Sequence, residues 1–432
     1  MTDLRLANKQ VLNADPANAA PLQVRCFNDL AALGSLRGAW EELLARVPTA
    51  SVFSTWEWLA PWWRAYGSGR ELVVLAFYDP AGTLVGLAPL SRVERRVAPA
   101  VRLRVLEFMG DGSEDSDNLD ILAVPGCEPR VVRALLNYFR ENDSGWDVIQ
   151  LNLFPSYSPA AAELKKQFQA LQWTVFPHTH PWCVLHLPET WDAYLQQISR
   201  KERDKIRYYE RRLNRLCQAR FYKCSTVSEL PACLQALFDL HQMRWILRGE
   251  PGSFAWKARR DFYLDLSRTL LERGQLEFYL LDINSKPAAA QYGFRYRDTV
   301  YLLQQGFDVQ YAQLSVQDVL HAHVFQQLIP AGVRRYDFLG GVSLRKKRWG
   351  SQVGNYVHLH SARPFSRGSL YLQTVRNAGL GKQWLRSHLP APAWALLKKA
   401  KLLRHEPRRK PDDGESETDA TPISPSTSDQ EK

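Results

Sequence analysis

The segment Gln275–Tyr296, "QLEFYLLDINSKPAAAQYGFRY", decides how the chain is read. An apolar run is followed by a polar break at Asn284–Lys286 and a second run, which predicts two strands joined by a turn. An earlier segment, Glu71–Val93 ("ELVVLAFYDPAGTLVGLAPLSRV"), has the same order, with its turn at Asp79–Gly82. Each copy then continues into a helical segment and a closing strand. In the first, "EPRVVRALLNYFREN" leads to "GWDVIQLNLFP"; in the second, "SVQDVLHAHVFQQLIPA" leads to "GVRRYDFLGG". Val316, Val319, Leu320, His323, Val324, Gln327 and Leu328 recur at helical spacing. Gly145 and Gly332 stand between helix and strand, where a C-capping glycine is expected. A repeated element order predicts an α/β fold of two duplicated halves with mixed central sheets.

The chain has 432 residues, more than one ordinary core accommodates. Its 45% apolar content and 14 tryptophans suffice for packed cores. The reading divides it into a disordered start (1–21), a first half (22–185), a second half (186–362), a basic amphipathic segment (363–405) and a disordered tail (406–432). The opening residues lack the cationic start and apolar run of a signal peptide, and no apolar stretch approaches a membrane span, so a cytoplasmic protein is expected. Cys26, Cys127, Cys183, Cys217, Cys224 and Cys233 form no CxxC pair, and no His spacing resembles a zinc site. Free thiols and no metal are expected. "GDGSEDSDNLD" (Gly110–Asp120) lacks the closing Glu of a calcium loop and reads as a loop insertion in the first half.

Charge is uneven. Phe338–His405 carries 13 Lys or Arg and no acid, against a net charge of +11 for the whole chain. Such a surface meets an anion, with phosphate, nucleic acid and anionic lipid as the candidates. Between the halves, Leu195, Ile198, Ile206, Tyr209, Leu213 and Leu216 share one face of an expected helix. Ten cations and three acids lie between Arg200 and Lys223. This charged face, opposite the apolar one, is either simply solvated or a wall that meets phosphate.

Five phrases then resemble one family in order: "SVFSTWEWLAPWWRAYG" (Ser51–Gly67), "SRKERDKIRYYERRLNRL" (Ser199–Leu216), "FDLHQMRWILRGEPGSF" (Phe238–Phe254), "GFDVQYAQLSVQDVL" (Gly306–Leu320) and "YDFLGGVSLRKKRWG" (Tyr336–Gly350). They resemble the CelD-type, FemAB-related members of the GNAT acyltransferase superfamily, over roughly Phe27 to His360. The resemblance implies tandem GNAT-like domains and transfer of an acyl group from acyl-CoA, such as acetyl-CoA, to an amine or hydroxyl. It further implies a saccharide or envelope-precursor acceptor in exopolysaccharide or cellulose production, and no DNA partner. GNAT folds hold the donor pyrophosphate at the amide-rich start of a helix after a splayed strand. A FemAB-like aminoacyltransferase using charged tRNA, and a binding module without catalysis, are the alternatives. Ser315, Val316 and Gln317 stand where the family often has S-P-G, and Leu344 where Tyr is common.

On these segments the catalytic candidates are Asp337 and His241. Asp337 either pairs with a nearby Arg or takes the proton of the attacking group. His241 and Arg244 lie three apart on one helical face, as a structural pair or an acid–base pair. Gln304, Tyr311, Ser315 and Gln317 are the donor-binding candidates. Arg244, Trp245, Gln291, Lys347 and Trp349 are the acceptor-side candidates. Strand alternation sets Gln291 and Tyr292 on opposite faces, so they cannot both line the donor cleft. Residues 363–405 interleave nine cations with apolar and aromatic residues, which suits a peripheral contact with an anionic membrane. Pro390 and Pro392 are expected to divide that segment into two short helices.

Overall fold

The hairpin of the quoted segment forms through Asn284 and Ser285, whose φ values of 51° and 63° give the left-handed pair that matches strand twist. In the earlier copy Gly82 (φ 80°) closes the turn, and Asp79 accepts from the Thr83 amide at 2.9 Å. The structure, a computed structural model, describes residues 20–113, 115–246 and 252–388. The expectations for the extreme N-terminus and for 389–432, including the second part of the basic segment with Pro390 and Pro392, lie outside those residues.

The first half contains β1 (Gln23–Phe27), α1 (Leu30–Gly34), α2 (Arg37–Arg46), α3 (Trp56–Tyr66), β2 (Arg70–Tyr78), β3 (Leu84–Ala98), β4 (Val101–Phe108), β5 (Leu122–Ala123), α4 (Glu128–Glu141), β6 (Val148–Pro155), α5 (Pro159–Ala170) and β7 (Thr174–His186). Then come α6 (Trp191–Gln197), α7 (Arg200–Leu216), β8 (Ala219–Lys223), α8 (Leu230–Ile246), α9 (Lys257–Glu272), β9 (Leu276–Ile283), β10 (Lys286–Tyr296), β11 (Thr299–Phe307), α10 (Val316–Leu328), β12 (Arg335–Gly340), α11 (Leu344–Arg348), β13 (Gln352–Ala362) and α12 (Arg367–His388).

The strands form one sheet in the order β1-β2-β3-β4-β6-β13-β7-β12-β11-β10-β9-β8, with β5 beside β3. The halves exchange their last strands. β13 pairs antiparallel with β6, β7 pairs antiparallel with β12, and β7 and β13 pair with each other over eleven residues. A division after residue 185 thus falls at the end of the strand that neighbours β12. Both halves carry a bulge in the strand that receives the exchange, marked by left-handed leucines: Leu153 in β6 (φ 64°) and Leu339 in β12 (φ 59°). The cores also fuse. Phe53 before α3 meets Phe294 and Tyr301 of the second half edge-on, with ring centroids 5.8 and 5.6 Å apart.

Three local expectations change. The helix expected over Leu195–Leu216 is two helices, because Ile198 is extended and Ser199 starts α7 by accepting from the Glu202 amide at 3.3 Å. Gly332 is left-handed (φ 80°) after α10, as expected, but Gly145 is not among the left-handed glycines: α4 ends at Asn142, and Gly145 closes a short 3₁₀ turn. The segment after Ala362 begins as one helix, α12. It is docked by Gly368, Ser369 and Leu372, and by Arg367 on Asp147 at 2.8 Å, while Leu370, Val375 and Leu380 are exposed.

Candidate active site

Strands β11 and β12 are parallel for three pairs, Thr299–Arg335, Val300–Tyr336 and Tyr301–Asp337. Beyond them β11 runs on to Phe307 and β12 to Gly340 without pairing, so a slot opens in the sheet. Side chains alternate across it. Tyr336 and Phe338 face α10, whereas Asp337 shares the opposite face with Tyr301 and Leu339.

Asp337 is 2% exposed. Its Oδ1 accepts from the Leu339 amide at 2.8 Å. Burial pushes its carboxyl up to about 6, against the pull of that amide and of Arg335 and Lys346. Lys346 is held close by donating to the carbonyls of Gly340 (2.6 Å) and Gly341 (3.1 Å). The first half reaches this point through Gly110–Asp120. Asp117 accepts from the Gly340 amide at 2.9 Å, and Asn118 donates to the Tyr356 hydroxyl at 3.1 Å. A Cβ on Gly340 would lie 3.3 Å from His180 Nε2 and 3.6 Å from Asp117 Oδ2, so small size matters there. The site therefore draws on both halves.

Gly110–Asp120 is a loop between β4 and β5, and it is a buried one. Asp111, Ser113, Asp115, Ser116, Asn118 and Asp120 are all buried. The indoles of Trp58 and Trp62 donate to Ser116 (2.9 Å) and Ser113 (2.8 Å), and Asp115 takes Arg259 at 2.6 Å and Tyr263 at 2.9 Å from α9. Asn152 on β6 donates to Asp111 at 2.7 Å, and Ser158 donates to Asp120 at 2.7 Å. Asp120 is pushed up to about 7 by burial. In the first half, β4 and β6 also part after three pairs, but this segment and the Phe108–Phe154 contact (4.9 Å) fill the gap.

On the α10 side of the slot lies a pocket lined by Ile198, Glu202, Lys205, Tyr209, Asp318, Arg345, Arg348 and Trp349. Three cations face two carboxylates there. Arg345 binds Asp318 at 2.7 Å and also donates to Gln317 Oε1, so it seals the first turn of α10. From α7, Lys205 of the cationic face and Tyr209 of the apolar face both line this pocket.

The donor-binding candidates Ser315 and Gln317 lie at the start of α10, with Ser315 left-handed (φ 47°). Tyr311 packs partly buried beside the same cluster. Gln304 does not join them. A register shift in the β10–β11 pairing sets it opposite Tyr292, while Gln291 pairs with Gln305 on the other face and donates to the Tyr336 hydroxyl. Gln291 and Gln304 therefore face opposite sides of the sheet. Of the cations in α11, Arg345 and Arg348 line the pocket and Lys347 is exposed outside it; Trp349 is buried and lines it. His241 and Trp245 are neighbours on α8, the indole donating to the imidazole at 3.4 Å, against the end of β11 at Gly306 rather than at Asp337. The side chain of Arg244 lies outside the described residues.

Sequence reasoning missed a row of imidazoles. His178 and His180 on β7 share one face with His358 and His360 on β13. His178 stacks on His358 with centroids 4.7 Å apart and meets His360 edge-on at 4.6 Å. Burial, then neighbouring imidazoles, pushes His358 and His360 down to about 3. "HTH" and "HLH" were visible signals, but 180 residues apart they meet through the strand exchange alone. Among the described residues, no group of three or more His, Cys, Asp or Glu side chains is arranged to hold a metal ion.

Residues 200–348 match the family model of an acetyltransferase (GNAT) domain. The crystal structure of FemX superposes with a TM-score of 0.53 at 10% identity, covering 75% of this chain and 95% of that one. A conserved protein of unknown function from Bacteroides thetaiotaomicron VPI-5482 gives 0.50 at 9% identity, over 79% of this chain and all of that one. A tandem GNAT protein from the clavulanic acid biosynthesis pathway gives 0.47 at 12% identity, over 79% and 99%. No curated protein sequence matches significantly. The fold class is α/β, with two halves of similar element order in one mixed sheet, and residues 200–348 of the second half are similar to a GNAT acetyltransferase domain.

Proposed function

We propose that the protein transfers an acyl group from a CoA-type thioester, held in the slot between β11 and β12, to an amine or hydroxyl that approaches from the Asp337 side. The observation that carries this reading is the slot itself. A pocket with a surplus of cations and the start of a helix lie on one face, where a pyrophosphate is favoured. A buried carboxylate pushed up to about 6 lies on the other. A base near neutrality can accept a proton without remaining protonated at working pH. The acceptor's nitrogen or oxygen forms its bond to the thioester carbonyl, Asp337 takes its proton, and the thiolate leaves as the tetrahedral centre collapses. Lys346 balances charge at Asp337. Asp117, half-buried at the mouth on Gly340, is placed to orient the acceptor.

Within the superfamily, the five phrases favour the CelD-type branch, and hence a sugar-containing or envelope-related acceptor handled at the cytoplasmic face, with residues 363–405 as the membrane contact. No helix among the described residues is long and apolar enough to cross a membrane. The test is release of free thiol from acetyl-CoA with a panel of amino sugars, repeated with Asp337→Asn. Thiol release that needs both acceptor and Asp337 supports the reading; release unaffected by the substitution overturns it. A second reading, an aminoacyl-tRNA donor, is favoured by the exposed cations Lys201, Arg207, Arg211 and Arg215 on α7 beside the pocket. A steep salt dependence of tRNA binding, with no CoA binding, would select it.

A further inference from the structure

On the seam where β7 and β13 pair, three opposed pairs place their side chains on one face: Gly354 with Trp182, Tyr356 with His180, and His358 with His178. His360 continues the row. The tautomers are set by one side chain. Asn152 gives its Nδ2–H to Asp111, so its Oδ1 faces both imidazoles and accepts from His358 Nδ1 at 2.9 Å and from His360 Nε2 at 2.8 Å. That leaves His358 Nε2 as a lone-pair acceptor, buried and without a partner. At the other end of the row Trp182, 5% exposed and stacked on Tyr356 (5.8 Å, 22°), carries a buried indole N–H without a partner. An unpaired buried donor and acceptor each cost stability, so such a pair on one face points to a ligand that satisfies both.

We propose that this row binds a hydroxyl-rich ligand, an oligosaccharide portion of the acceptor, across the face of β7 and β13. A hydroxyl both donates and accepts, so one kind of group answers His358 Nε2 and Trp182 Nε1. A cation or an ammonium could answer the imidazole but not the indole. The exposed ring of His178 offers a flat face that suits the C–H face of a sugar ring. Burial keeps the His358 and His360 imidazoles neutral, so they bring no charge to a neutral polyol. From residue 354 to residue 360 the strand spans roughly 20 Å, the reach of a short oligosaccharide rather than a single ring. Within the row, next to its Trp182 end, His180 lies beside Gly340 and Asp117, which brings the ligand past the mouth of the slot. The inference rests on the acyl-transfer reading for its purpose, not for its chemistry.

The test is NMR titration of the full chain, with ¹⁵N-labelled histidine, using cellotetraose, maltotetraose and tetra-N-acetylchitotetraose, alongside a separate titration with CoA. Saturable binding of at least one sugar, shifting the His358 and His360 ring signals, is expected, and His358→Phe and Trp182→Phe should each weaken it about tenfold. His178→Ala, at an exposed position, serves if the buried variants do not fold. No sugar binding, binding that these variants leave unchanged, or Zn²⁺ moving the same signals where sugars do not, overturns the proposal. CoA binding without sugar binding removes this inference alone. Sugar binding at the row without CoA binding removes the acyl-transfer reading and leaves the row standing.

Discussion

Asp337 shows how one residue was legible and how its setting was not. An acid interrupting an apolar strand before Gly340 and Gly341 is visible in the sequence, but burial is a property of the packed loop against it. Asp337→Asn keeps the shape and the amide contact while removing the proton acceptor. Turnover should fall on the order of 10²-fold or more, with little change in melting temperature; a fully active variant, or one that unfolds, returns Asp337 to a structural role. Asp115 is the contrasting case. Its side chain is fully buried against Arg259. Asp115→Ala leaves that guanidinium uncompensated and should cost about 3–5 kcal/mol in urea unfolding. A loss below about 1 kcal/mol would show that the Gly110–Asp120 segment does not depend on this pair. No local pattern distinguishes Asp115 from a surface acid, because its partners come from α3 and α9.

At the scale of elements, period and punctuation were sufficient for the hairpins and for α10. Polar turns at Asp79–Gly82 and Asn284–Lys286 and the helical spacing from Val316 mark them without tertiary help. Segments that owe their setting to distant partners carry no such mark. Gly110–Asp120 is polar enough to pass for a surface loop, yet two indoles, an arginine and Asn152 pay the cost of burying it. α7 fits its helical reading because Ser199 caps it locally. The segment from α12 onward carries Arg363, Arg367 and Arg376 with exposed Leu370, Val375 and Leu380. Each cation near anionic lipid contributes about 1 kcal/mol. The full chain should therefore co-sediment with vesicles containing anionic lipid at low salt and detach at high salt. Binding that ignores lipid charge, or survives loss of residues 363–432, would remove the membrane contact.

For the molecule as a whole, the repeat in the sequence foretold two halves but not their exchange of β7 and β13, since strand neighbours across a seam leave no mark on periodicity. The same seam concentrates titrating groups of opposite behaviour. His358 and His360, at about 3 when folded against an ordinary value near 6.5, favour the native state above that range, and the benefit is lost as pH falls. Asp337 and Asp120, at about 6 and about 7 when folded, bind protons before the unfolded chain does, so falling pH stabilises the native state through them. From pH 7 to pH 5 each pair contributes about 4 kcal/mol, in opposite directions, so these two pairs nearly cancel and leave the slope of wild-type stability in that window to the remaining groups. His360→Gln should tilt it toward acid and Asp120→Asn toward neutral; equal slopes in both variants would contradict the assignment. The central claim is that one slot, in the second half, holds the donor. Isothermal titration of CoA, acetyl-CoA and longer acyl-CoAs into the wild-type chain and into folded Ser315→Trp tests it most directly. One site per chain, lost in the variant, is expected; two sites per chain, no binding at all, or unchanged affinity in Ser315→Trp would overturn the assignment.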